Sequence, residues 1–181
     1  MESFITSSDQ QRLLRLARAA LEARVRRQPA PSLDGGGALD WPRGAFVTIH
    51  HRGALRGCLG RIGAEAPLGS TVADLAAAVS DSDSRFEPVS SSELADIALE
   101  ISVLTPGCEV QTIEEIEVGR HGLIVEDGPR RGLLLPQVAT EHGWDREAFL
   151  AQTCLKAALP ADAWRRGARI LIFEAQVFAE A

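Results

Sequence analysis

Tyrosine and asparagine are absent from the 181 residues, and lysine and methionine occur once each, as Lys156 and Met1. No phenolic acid is therefore on offer, glutamine is the only side-chain amide, and no Asn-X-Ser/Thr acceptor exists for glycosylation. Cysteine is scarce too. Cys58, Cys108 and Cys154 are odd in number and form no Cys-X-X-Cys pair, which argues against a disulfide framework and against a zinc knuckle, and no metal site is read. Three free thiols, and a start (Met1 to Asp9) with neither basic residues nor an apolar stretch, lead us to expect a cytoplasmic protein. No apolar run approaches the ~20 residues of a membrane span. Positive charge is in deficit, with 19 Lys plus Arg against 25 Asp plus Glu, a net −6 that makes nucleic acid an unlikely partner. What remains, 45% hydrophobic and 24% charged residues, is an ordinary globular mix in a chain long enough for one domain with a real core.

The pattern along the chain alternates helix and strand without a strict β-α-β rhythm. Ser8 and Gln11 suggest a capping box, followed by Leu13, Ala17, Ala20, Leu21 and Val25 at helical spacing. Residues 28–44, with three prolines and Gly35-Gly36-Gly37, read as a surface connection. Residues 45–51 and 54–59 read as a hairpin turned by Arg52-Gly53. A second helix starts near Pro67, and 97–104 alternate as a strand that Pro106-Gly107 stops. A short helical piece at 112–117, a hairpin around Asp127-Gly128-Pro129, a short helix from Pro136, a longer one capped by Asp145 and a last strand from Ile170 towards Phe178 complete the chain. This order predicts an α+β fold with a largely antiparallel sheet and flanking helices.

Chemistry concentrates at Leu55-Arg56-Gly57-Cys58-Leu59-Gly60. In an extended chain Leu55, Gly57 and Leu59 share the core face, while Arg56 and Cys58 share the other. A guanidinium beside a thiol favours the thiolate, the nucleophilic form, and Gly57 and Gly60 allow a ligand close to the backbone. The plainer alternative is a small buried cysteine and a glycine bulge. As a residue outside the core, Arg56 should be replaceable by alanine with the fold intact. His121, at the mouth of a hairpin, is the better acid/base candidate; His50 and His51 point to opposite faces. Gln137 sits just past an apolar strand and either reaches a site or caps a helix. Lys156 lies off the core stripe that holds Cys154 and offers a cation for an anion. Arg85 offers a second, or pairs with Asp81 or Asp83. Cys58, Arg56 and His121 are thus the catalytic candidates; Gly57, Gly60, Arg85, Gln137 and Lys156 are the ligand-binding candidates. An anionic small molecule is the expected ligand, with Arg56, Cys58, His121, Gln137 and Lys156 converging on it.

Six segments in order resemble one family: 55–60, Asp83-Ser84-Arg85-Phe86-Glu87-Pro88-Val89, Glu100 to Pro106, His121-Gly122-Leu123, Gly132 to Ala139, and Thr153-Cys154-Leu155-Lys156-Ala157-Ala158-Leu159-Pro160. The chain is similar there to the AMMECR family, the A component of the AmmeMemoRadiSam system, over about residues 10–180. It departs at Ser82-Asp83-Ser84-Arg85, where the family tends to Asp-Pro-Arg, and at Ala157-Ala158, where it tends to Ala-Gly. The resemblance implies one domain over 1–181 in two lobes, a larger sheet-bearing part containing both termini and a smaller one beside it. It implies a cleft near Arg56 and Cys58, and association with a Memo-like protein and a radical-SAM protein. It carries no settled reaction and no cofactor. Two readings follow: a thiol-dependent or small-molecule-binding enzyme component, or a non-catalytic interaction module.

Overall fold

The computed structural model describes residues 4–63 and 65–180. The chain divides into two compact units, one of residues 1–104 and 176–181, the other of residues 105–175. The larger one thus takes both ends of the chain, within the α+β class that the sequence predicts.

In the larger unit, helix α1 (Ser7–Val25) starts at Thr6, whose hydroxyl accepts the Asp9 N–H at 3.3 Å. The expected cap, Ser8, lies inside the helix; of the three hydroxyl residues in a row, Thr6 is the one with an extended backbone. Helix α2 (Leu68–Ala78) packs on α1. Both bury their apolar stripes, Leu13, Ala17 and Leu21 with Leu68, Val72 and Leu75, against one face of a sheet. That sheet runs β2-β1-β3-β8, with β1 at Ala45–His51, β2 at Ala54–Arg61, β3 at Ile97–Leu104 and β8 at Ala175–Ala179. Val47, Ile49, Leu99 and Ile101 alternate onto the helix-covered face and are fully buried. Arg52 and Gly53 both take positive φ (52° and 82°), the two-residue turn whose twist matches an antiparallel hairpin. The connection at 28–44 is exposed up to Gly37, but Ala38 and Leu39, in a short 3-10 turn, are buried in the core.

The smaller unit holds a second sheet, order β4-β7-β5-β6. Its strands are β4 (Cys108–Glu109), β5 (Gly122–Asp127), β6 (Arg130–Leu134) and β7 (Arg169–Phe173). Helix α3 (Pro136–Glu141) has Pro136 at its first turn, and α4 (Arg146–Lys156) is capped by Asp145, which accepts the Ala148 N–H at 2.8 Å. Leu123, Phe149 and Leu150 form the centre of its core. At Gly132 a Cβ would lie 2.3 Å from the Ala157 nitrogen, so glycine lets the end of α4 close onto β6. The apolar run from Ile170 to Phe178, read in the sequence as one strand, is two strands in two sheets. The break is Glu174, whose N–H donates to Thr105 Oγ1 and whose carbonyl accepts the Thr105 N–H, each at 2.8 Å.

Candidate functional site

Strand β2 is an edge strand, and its register is irregular where the chemistry lies. Thr48 pairs with Cys58 and Ile49 with Gly57, but His50 pairs with Leu55, so Arg56 is the extra residue of a β-bulge. Gly57 and Leu59 face the core as expected. Leu55 does not: the bulge returns it to the opposite face, where it is 46% exposed. Cys58 is half-buried beside Thr48, whose hydroxyl donates to Sγ at 3.2 Å. Across β1 from Cys58, Thr48 also pairs with Glu100 of β3, so thiol, hydroxyl and carboxyl form a row on one face.

The outward backbone of β2 is covered by the loop after α2. Asp83 Oδ2 accepts the Cys58 N–H at 2.9 Å, satisfying an edge donor. The same carboxylate takes Arg85 in a two-point pair, Nε at 2.9 Å and Nη2 at 2.7 Å, and also the Arg85 N–H at 3.2 Å. Arg85 above all, helped by the Cys58 N–H, holds the Asp83 carboxyl far below the usual carboxylate range against its burial. Arg56 Nε donates to Glu93 at 2.8 Å, and this pair, with the Ser90 N–H, lowers the Glu93 pKa to about 2. Both guanidinium groups lie over Phe86, at 5.9 Å for Arg56 and 5.4 Å for Arg85.

This arrangement alters two expectations. The cation held on the Cys58 backbone through a shared carboxylate is Arg85, while Arg56 is engaged by Glu93. Arg56 is also not a free surface residue; its side chain is 16% exposed and ion-paired, so its removal strips a half-buried carboxylate of its partner. Arg56 and Arg85 are each paired with a carboxylate. Gly57 and Gly60 serve the protein's own packing. A Cβ at Gly57 would meet Val79 Cγ2 at 3.0 Å, and one at Gly60 would enter the Phe46 ring at 2.1 Å. His51 lies 3.8 Å from Asp96, which Arg52 also engages. Cys108 is exposed; Cys154 is buried in the core, and burial pushes its pKa up, as an inert thiol requires.

In the smaller unit, His121 is buried. Its Nδ1 accepts the Glu117 N–H at 3.1 Å, which leaves the proton of the neutral ring on Nε2, 3.9 Å from Glu174 Oε1. Arg120 engages the same Glu174 oxygen at 3.0 Å. Gln137, exposed in the first turn of α3, makes no capping bond with its side chain. The pairing of Leu123 with Leu134 sets His121 and Gln137 at the same end of the β5–β6 hairpin. Lys156 is exposed, and its backbone lies against Gly132, on the order of 10 Å further along the strand towards the turn. There Arg130 Nη1 also bonds the Ala158 carbonyl at 3.1 Å. The hairpin thus has His121 and Gln137 at one end and Lys156 further along it. Among the described residues no group of three His, Cys, Asp or Glu is arranged to hold a metal ion.

Sequence reasoning missed Thr48 and Glu93; it offered Asp83 as a partner for Arg85, which the structure shows, but not as the acceptor of the Cys58 N–H. Counting back from the Arg52-Gly53 turn pairs Thr48 with Gly57; only the bulge brings Cys58 opposite it. Asp83 and Glu93 are 25 and 37 residues from their β2 partners, and no local spacing announces such pairs.

A profile of the AMMECR1 family matches residues 14–178. A protein of Methanothermobacter thermautotrophicus is 44% identical over 177 residues, 93% of this chain and 92% of that protein. One of Methanococcoides burtonii is 41% identical over 182 residues, 97% and 91% of the two. A crystal structure of the uncharacterised protein PH0010 from Pyrococcus horikoshii superposes with a TM-score of 0.84 at 39% identity, covering 97% of this chain and 93% of that one.

Proposed function

The chain belongs to the AMMECR1 family, and from that premise we propose that it is a small-molecule-binding, thiol-dependent component whose working group is Cys58. One observation carries the reading: Asp83 Oδ2 is shared by the Cys58 N–H and by Arg85, so a single carboxylate fixes the thiol-bearing strand and a cation together. Thr48 adds a hydroxyl donor 3.2 Å from Sγ. The reading includes the partners that the motifs imply, a Memo-like protein and a radical-SAM protein; their co-purification with the tagged chain, and its loss, is the check on that part.

Alkylation by iodoacetamide tests the thiol. The sulfur–carbon bond forms, iodide leaves and the thiol proton passes to solvent. Below neutral pH, Cys58 should react faster than Cys108, although Cys108 is the more exposed. A rate at Cys58 no higher than at Cys108 overturns the proposal. The second reading, an interaction module without catalysis, draws on the pairing of Arg56 with Glu93 and Arg85 with Asp83, which is how a rigid docking loop is built. An inert Cys58, with a partner complex that survives Cys58→Ser, would select it.

A further inference from the structure

We infer that the outward edge of the Arg85 guanidinium is an oxyanion seat beside Cys58, so that the small molecule meeting this thiol carries a carboxylate or a phosphate. The inference rests on the reading of Cys58 above and adds the chemical class of its ligand. A guanidinium has five donors in a planar fork. Asp83 takes the Nε side and one Nη2 hydrogen. The end edge, Nη1 with the second Nη2 hydrogen, faces away from that carboxylate, and its spacing matches two oxygens of a second oxyanion.

Burial decides the sign of the pair as solvent meets it. The Asp83 side chain is 5% exposed and that of Arg85 57%, so the carboxylate is the inner end and the cation the outer one. The Arg56–Glu93 pair is different: at 16% and 22%, both ends are withdrawn and neither is offered. Arg85 is also held still. Asp83 grips one edge and the Phe86 ring lies 5.4 Å from its carbon, so much of the rotamer freedom an exposed arginine would lose on binding is lost before the ligand arrives. The seat is one shared carboxylate away from the Cys58 backbone, because Asp83 Oδ2 bonds the Cys58 N–H as well as Arg85.

Two measurements on the whole chain test it. The Arg85 Nε–H signal, assigned by its loss in Arg85→Lys, is followed in a titration with inorganic phosphate. A saturable shift confined to Arg85 is expected; no shift, or a drift shared by the other exposed arginines, overturns the seat. Iodoacetate and iodoacetamide, which differ in one carboxylate, are then compared at Cys58 with Cys108 as the internal reference. The iodoacetate preference at Cys58 should exceed that at Cys108 by about tenfold, fall with added salt, and fall in Arg85→Lys, which keeps the charge and loses the fork. Equal preference at the two thiols places the seat away from Cys58 and overturns the inference. Inertness of Cys58 to both reagents defeats the thiol reading instead, and the phosphate titration still decides the seat.

Discussion

Arg56 and Arg85 lie over the same phenyl ring and do different work. Arg56 stitches β2 to the loop through Glu93, with Pro88 O a further acceptor at 3.5 Å. Arg56→Ala leaves Glu93 half-buried with its main partner gone. The expected loss is about 1–3 kcal/mol, the range for a charged hydrogen-bond partner removed from such a site. Calorimetry should show the melting temperature lower by roughly 2–4 °C for each of those kcal/mol, and an unchanged temperature would return Arg56 to the surface role that its alternation suggested. Thr48 acts on chemistry instead. Thr48→Val removes the donor at 3.2 Å from Sγ and keeps the branched shape, so Cys58 alkylation should slow several-fold while Cys108 serves as an unchanged control. What the sequence could show at this scale was residue type: a thiol, its flanking arginine and glycines. Which arginine serves the thiol depended on Asp83, a contact between positions 25 apart.

At the scale of elements, the bulge in β2 decides which groups meet. In the unbroken register Arg56 would oppose Ile49, which is fully buried, and Cys58 would oppose Val47, also fully buried. One extra residue turns Cys58 to the Thr48 face and keeps the guanidinium off the core. Helix and strand positions follow from periodicity and turn chemistry, which is why Arg52-Gly53, Pro136 and Asp145 all sit where local rules place them. The bulge does not, because alternation and the turn residues give no sign of an extra residue within the hairpin; nor does the division of 170–178 between two sheets, which is set by partner strands far along the chain. The loop after α2 acts as a cover for the β2 edge through Asp83. Asp83→Asn keeps the size and forfeits the charge that holds Arg85, so amide exchange at Cys58 should rise and denaturant unfolding should show a loss of about 1–3 kcal/mol. Protection at Cys58 that matches the parent would mean the loop is held by other contacts.

Over the whole molecule, the depressed carboxyls are unevenly distributed. Four with side chains less than a third exposed lie in the larger unit. Asp9 is lowered by the Ala38 N–H and Arg12, Asp81 by Arg24, Asp83 by Arg85, and Glu93 by Arg56. In the smaller unit the only carboxyl clearly held low, among the described residues, is Glu114, fully at the surface and served by its own backbone and Thr112. A carboxyl with a lower pKa folded than unfolded stabilises the fold above its unfolded pKa. That contribution drains away as pH falls through the folded value, because the unfolded chain then binds more protons. For Glu93 the window runs from its ordinary 4.5 down to about 2, and Asp83 extends it lower still. Acid should therefore weaken residues 4–104 before residues 105–175. Amide signals followed between about pH 5 and pH 2 should broaden or exchange first in the loop at 80–93 and strand β2, and only later in β5, β6 and α4. Glu93→Gln should abolish the part of that decline belonging to the Arg56 pair, at the cost of lower stability near neutral pH. Simultaneous loss of both sets of signals would show instead that the two sheets unfold as one cooperative body, with the buried carboxylates of the larger unit setting the acid limit for all of it.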